Sequence, residues 1–378
     1  MTSLKNRYQR AEQLLAWNLT PKLKNRTVQP HWLDAHRFWF RRDINDGHEF
    51  VLVDSDKLTE KIINEPPVSD NPDFNAVWAK SSVSPNGRWE VLSRNHNLFL
   101  LERTTGQEKP LTVDGELHHG YGNYPDFFSQ GILDRQPLPP AVLWSADSRY
   151  LVVQRVDETH VADMPLLQSV PENGGFRPHC HNYKVAQPGD IDIPLVSLCV
   201  IEIESARIIP CDRKPQPATL LGPMEVGGVC WEGNNVYFLE LTRNRLTVRL
   251  VAFDPATGSS RVLIEESGEG NLYPGPLPLA EPIVKILPEI NEFIWYSQRS
   301  GWGHLYRYDL TTGALINVIT AGDYVVTKLH RVDIKTNRVF FSACGRESGH
   351  NPYYEHFYRT NLDGSNVVLL SPENSQHD

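Results

Sequence analysis

Six times along the chain a large apolar residue and an aromatic stand six positions apart, with a short turn-forming stretch between them. Trp32 and Phe38 flank LDAHR, Val83 and Trp89 flank SPNGR, and Trp144 and Tyr150 flank SADSR. Trp231 and Tyr237 flank EGNNV, Leu287 and Phe293 flank PEINE, and Ile334 and Phe340 flank KTNRV. Asn and Gly tolerate the positive φ of tight hairpin turns, and Asp and Ser side chains bond the turn backbone. Each copy therefore predicts a β-hairpin.

A second hairpin follows each first one, in HEFVLVDSDK, LFLLERTTGQEKPLT, LCVIEIESARIIP, LVAFDPATGSSRVLI, LYRYDLTTGALINVIT and FYRTNLDGSNVVLLS. An alternating strand, a Thr-Gly or Asp-Gly type turn and another strand make up each one. Two consecutive hairpins form a four-stranded antiparallel sheet. Sheets recurring from 32, 83, 144, 231, 287 and 334 read as propeller blades, in preference to a β-sandwich with accidental similarities. The predicted fold is all-β: a β-propeller over residues 28–378, after a short N-terminal helix and lead-in over 1–27. Residues 5–19 place Tyr8, Ala11, Leu14, Leu15 and Asn18 on one helical face, and Pro21 ends the helix. A Pro- and Gly-rich insertion, 161–194, separates the two hairpins of the third blade.

Composition narrows the function. A net charge of -9 over 378 residues argues against nucleic-acid binding, which needs a basic surface. No apolar run reaches the ~18–20 residues of a membrane span. The first residues, MTSLKNRYQRAEQLLAWNL, carry charges throughout and show no signal-peptide pattern. The expectation is a cytoplasmic location, or a periplasmic one if a leader has been removed. Cysteines 180, 199, 211, 230 and 344 form no C-x-x-C pair and read as buried free thiols of a reducing compartment.

The chain has no G-x-S-x-G elbow: GRESG at 345–349 puts Ser348 in the wrong place, in a loop between hairpins. P-loop and G-x-G-x-x-G motifs are absent as well. His179, Cys180 and His181 are adjacent, as are His118 and His119, but neighbours on an extended chain point to opposite sides. Neither a metal nor a cofactor is expected. Asp157 and Glu158 read as a solvated strand end. The more informative stretch is HHGYGNYPDFFSQ, 118–130, where Tyr121, Tyr124, Phe127 and Phe128 interleave with Gly and Asn without a strand period. It reads either as a loop plugging the adjacent blade or as a rim that contacts a ligand or another domain.

The third blade carries a family resemblance. LWSADSRYLVVQRVDETHVADMPLLQSV…FRPHCHNYKVAQPGDIDIPLVSLCVIEI resembles the N-terminal propeller of the dipeptidyl peptidase IV-like branch of the prolyl oligopeptidase superfamily. FIWYSQRSGWGHLYRYDLTTG, 293–313, resembles its S-x-R-x-G-W-x-H-L-Y segment, and YQRAEQLLAWN and GHEFVLVD resemble bacterial members. The resemblance implies seven or eight blades capping a C-terminal α/β-hydrolase domain that carries a Ser-Asp-His triad. It makes this chain the non-catalytic part of a serine peptidase, whose partners are a peptide substrate and that hydrolase domain, with homodimer contacts also in view. After LSPENSQHD the family continues into a last blade and the hydrolase domain. One departure stands out: where dipeptidyl peptidases carry a Glu pair for the substrate's α-amino group, this chain has YGNYPDFFSQG, whose only acid is Asp126. Tyr121, Asn123, Tyr124 and Asp126 are the expected substrate-facing residues. The alternative reading is a stand-alone propeller that binds a protein or peptide partner.

Overall fold

The computed structural model describes residues 4–15, 30–33, 36–44, 47–54, 57–64, 82–125, 139–170, 175–218, 223–224, 227–270, 272–276 and 281–377. The chain divides into two compact units, 1–76 and 77–378.

The first unit holds the helix Leu4–Gln13 and a sheet of four strands in chain order, His31–Trp32, Arg37–Ile44, Gly47–Asp54 and Thr59–Ile63. The helix is shorter than its expected span, with a turn at Leu14 and Leu15; Asn18 and Pro21 lie outside the described residues. Its apolar face is open: Tyr8 and Leu14 are exposed.

Among its described residues the second unit holds five blade sheets and a separate two-stranded ribbon. Three are regular four-stranded meanders, built on 229–267, 284–318 and 325–369. The sheet of Trp89–Arg94, Asn97–Glu102 and Glu108–Pro110 has three strands, because its first strand is reduced to a single bridge between Val83 and Glu90. The sheet around Tyr150–Asp157 has six strands, since its first strand is split in two and its outermost strand continues as Gln216–Pro217. Among the described residues there are thus six blades, against the seven or eight expected, and two of them depart from four strands.

Alternation along the second strands builds the core of this unit. Leu151 and Val153 pack against Val91, Leu98 and Leu100 of the preceding blade, while Val152 packs against Val236 and Phe238 of the next. Tyr237 and Leu239 then meet Phe293 and Trp295, and Ile294 and Tyr296 meet Phe341 and Tyr358. Each of these three second strands, Tyr150–Asp157, Asn235–Leu241 and Glu292–Ser297, thus feeds two interfaces, one from each face of its pleat. Full burial of each such side chain contributes about 1.5–3 kcal/mol. A one-residue slip would exchange the two faces, so the register is strongly specified.

The turns use the chemistry their composition suggests. The Ser84 hydroxyl donates to Asn86 Oδ1 at 2.8 Å and accepts the Trp89 N–H at 2.9 Å. Ser145 repeats this with Asp147 at 2.7 Å and Tyr150 at 3.0 Å. The two turns touch, the Asn86 N–H donating to the Ser148 hydroxyl at 3.2 Å. The W-S-x-D-S signature is therefore a turn scaffold joining neighbouring blades.

Candidate functional site

Residues 118–125 do not form a simple loop. His119–Tyr121 is a strand, paired with Arg155–Asp157, and Val142–Trp144 pairs with Leu151–Val153 of the same strand. The first strand of this blade is interrupted by an excursion from Gly122 to Ala141, which leaves and re-enters opposite Gln154. Gly122 N–H donates to the Gln154 carbonyl at 2.7 Å, and Ala141 N–H to the Gly122 carbonyl at 2.8 Å. Gly122 has φ +66°, and a Cβ there would stand 3.1 Å from both Leu98 Cδ2 and Pro140 Cβ. A glycine fits this exit because it takes the left-handed conformation and leaves that space free.

Three of the four expected site residues build the neck of the excursion. Tyr121 is buried, with its hydroxyl 3.0 Å from Asp114 Oδ1 and the Arg155 guanidinium 4.4 Å above its ring. Burial, reinforced by the hydrogen bond to Asp114 and opposed by Arg155, pushes its phenol up to about 12. Asn123 accepts the Val156 N–H at 3.0 Å on Oδ1 and donates from Nδ2 to the Val156 carbonyl at 3.3 Å. Tyr124 donates its hydroxyl to the Pro139 carbonyl at 2.8 Å, closing the neck from one side to the other. Asp126, Phe127 and Phe128 lie outside the described residues.

The strand end beside the neck is not simply solvated. Asp157 takes the backbone N–H and the hydroxyl of Thr159 on Oδ1, at 3.0 and 2.7 Å. Burial pushes its carboxyl up, but the Thr159 bonds with His119 and His160 nearby hold it below the ordinary value. Glu158 corrects the expectation: it is 2% exposed, and its N–H donates to the His118 carbonyl at 2.8 Å. The chain then enters the insertion, which forms a two-stranded ribbon of Asp163–Gln168 and His179–Lys184. His179 and His181 sit on one face of that ribbon, rings 4.9 Å apart, and His181 Nε2 bonds Gln168 Oε1 at 3.0 Å. Among the described residues no group of three or more His, Cys, Asp or Glu is placed to hold a metal ion.

Arg155, Asp114 and Gln154 complete this corner with Glu158, and went unnoticed in the sequence. Arg155 and Gln154 carry a legible signal, as the only polar side chains within YLVVQRV. Asp114 carries none, because it sits in a loop with no periodic pattern, seven residues before its partner Tyr121.

The profile of the dipeptidyl peptidase IV (DPP IV) N-terminal region matches residues 39–378. The chain belongs to this family. The chain is similar to the probable dipeptidyl-aminopeptidase B of Coccidioides posadasii, 25% identical over 311 residues, covering 76% of this chain and 32% of the relative. The probable dipeptidyl peptidase 4 of Aspergillus fumigatus is 26% identical over 300 residues, covering 76% of this chain and 37% of its own. The crystal structure of Porphyromonas gingivalis dipeptidyl peptidase 4 shares the fold, with a TM-score of 0.61 at 17% identity over 89% of this chain and 45% of that one. The chain thus spans about a third of the length of these curated relatives. As a DPP IV N-terminal region it has the propeller-type blades the family resemblance implies, and the split strand lies immediately before the blade's W-S-x-D turn.

Proposed function

We propose that this chain is the non-catalytic propeller of a dipeptidyl peptidase IV-like serine peptidase, which gates peptide access to a C-terminal α/β-hydrolase domain and shapes its substrate site. The observation that carries this reading is the closed neck at Gly122–Ala141. Tyr121, Asn123 and Tyr124 fix the two ends of the stretch whose sequence carries Asp126, which the family resemblance aligns with the amine-binding Glu pair. A fixed base can help to hold a peptide in one orientation without supplying chemistry itself. The reaction of the parent is acyl transfer by a serine nucleophile, and none of those groups is proposed in this chain. Without the Glu pair, recognition of the α-amino group loses charge-assisted hydrogen bonds worth about 1.5–3 kcal/mol each. Selectivity for free N-termini is therefore weaker than a Glu pair would give.

The test uses the whole protein that contains this chain. It should hydrolyse short Xaa-Pro peptides and leave a folded protein with the same N-terminus intact. Replacing 126–138 by a short Gly-Ser linker should raise KM more than it lowers kcat. Equal cleavage of folded and unfolded substrates would contradict the gating role.

A further inference from the structure

We propose that Gln154 is a positioning residue that locks the Gly122–Ala141 excursion to the connection leading into the next blade; its effect on substrate rests on the functional reading above. Gln154 lies in the middle of a strand whose neighbours are Val152, Val153 and Val156, and its side chain is fully buried. A buried amide costs free energy unless both of its ends are bonded. Here Nε2 donates to the Asn123 carbonyl at 3.1 Å, and Oε1 accepts the Met224 N–H at 3.4 Å. Its backbone is engaged at the same place, with the N–H on the Ala141 carbonyl at 3.3 Å and the carbonyl on the Gly122 N–H at 2.7 Å.

One residue therefore holds the outgoing limb of the excursion, its returning limb, and Met224 before the next blade. Met224 is itself buried against Val152 and Phe238 in the core of the next interface. A methionine would fill the volume of Gln154 but would bond neither Asn123 nor Met224. The amide thus makes the two connections move together: a shift of the neck breaks the bond that holds Met224, and the reverse.

The test compares wild type, Gln154→Met and Gln154→Glu in the whole protein. Gln154→Met keeps the volume and removes both bonds, so hydrogen exchange at the Met224 amide should rise about tenfold or more, as expected for a lost ~1–1.5 kcal/mol bond. KM for a short Xaa-Pro peptide should rise roughly three- to tenfold with kcat within about twofold, since a displaced wall weakens binding rather than chemistry. Gln154→Glu retains an acceptor for Met224 and loses the donor to Asn123; it should protect the Met224 amide yet still raise KM. Unchanged Met224 exchange in Gln154→Met overturns the lock. Faster exchange with unchanged KM overturns the positioning role. A wild-type protein that turns over no peptide sinks the functional reading alone, and the exchange data still decide the lock.

Discussion

The side-chain amide of Asn123 pairs with both the N–H and the C=O of Val156, 33 residues further along the chain, as the backbone of a neighbouring strand would. Val156 already faces Gly120 in the split first strand, so the amide reinforces that rung and ties the turn after Gly122 back to it. Asn123→Ala should remove both side-chain bonds and destabilise the chain by about 1–3 kcal/mol. Denaturant unfolding of the two proteins measures this, and an unchanged midpoint would show that water replaces the amide.

Thiol reactivity separates the five cysteines. Cys199 is buried in the interface between two blades, and burial pushes its thiol up to about 12, against the lowering effect of Arg155. Cys180 is exposed on the insertion ribbon. An aromatic disulfide reagent should modify Cys180 within minutes in the native protein and reach Cys199 only on unfolding. Peptide mapping after timed labelling reads both rates.

His304 ties its blade to the next connection. Its Nε2–H donates to the Gly322 carbonyl at 2.9 Å, and its Nδ1 lies within hydrogen-bond distance of the Thr320 hydroxyl at 3.1 Å. Burial lowers the His304 pKa, and burial with Lys328 nearby lowers that of His330. A depressed histidine costs nothing at pH 8. As the pH falls through the unfolded value of ~6.5, the unfolded chain takes up a proton that the folded chain refuses. Stability should therefore fall between pH 7 and 5, and His304→Gln should flatten that slope. A slope unaffected by the substitution would place the titration elsewhere.

Gly303 explains part of the GWGH motif. A Cβ at this position would lie 1.8 Å from the Tyr296 hydroxyl oxygen and 2.3 Å from its Cζ. Tyr296 is almost fully buried between two blades and has nowhere to turn. Gly303→Ala should cost about 3 kcal/mol or more, at or above the usual ~1–3 kcal/mol of overpacking. A thermal midpoint within a degree of wild type would mean that the backbone yields instead.

What the sequence made legible was local. The Trp144–Tyr150 hairpin appears as expected because Ser145 bonds Asp147 and the Tyr150 N–H across its turn, and Ser84 does the same with Asn86 and Trp89 in the preceding blade. The split strand was hidden, since Tyr121 pairs with Arg155 across an excursion that a linear pattern reads as one loop. Glu158 was misread because a carboxylate at a strand end normally faces water, and its burial depends on contacts outside its own strand. One signal was present and overlooked. Arg243, Arg299 and Arg346 each stand six residues after the aromatic that opens their hairpin. Arg243 bonds carbonyls of the insertion, Arg299 reaches Glu266 of the preceding blade, and Arg346 stacks over Tyr358. The aromatic-plus-six arginine is thus a second repeat, legible once the first is aligned.

In the proposed function this chain shapes a peptidase site and performs none of its chemistry. The decisive measurement is hydrolysis of an Xaa-Pro chromogenic substrate by the purified chain, beside the whole protein that contains it. No turnover by the chain is expected, and turnover by the whole protein should be abolished by a serine-directed inhibitor. Turnover by the chain alone that survives repurification and the same inhibitor would contradict it.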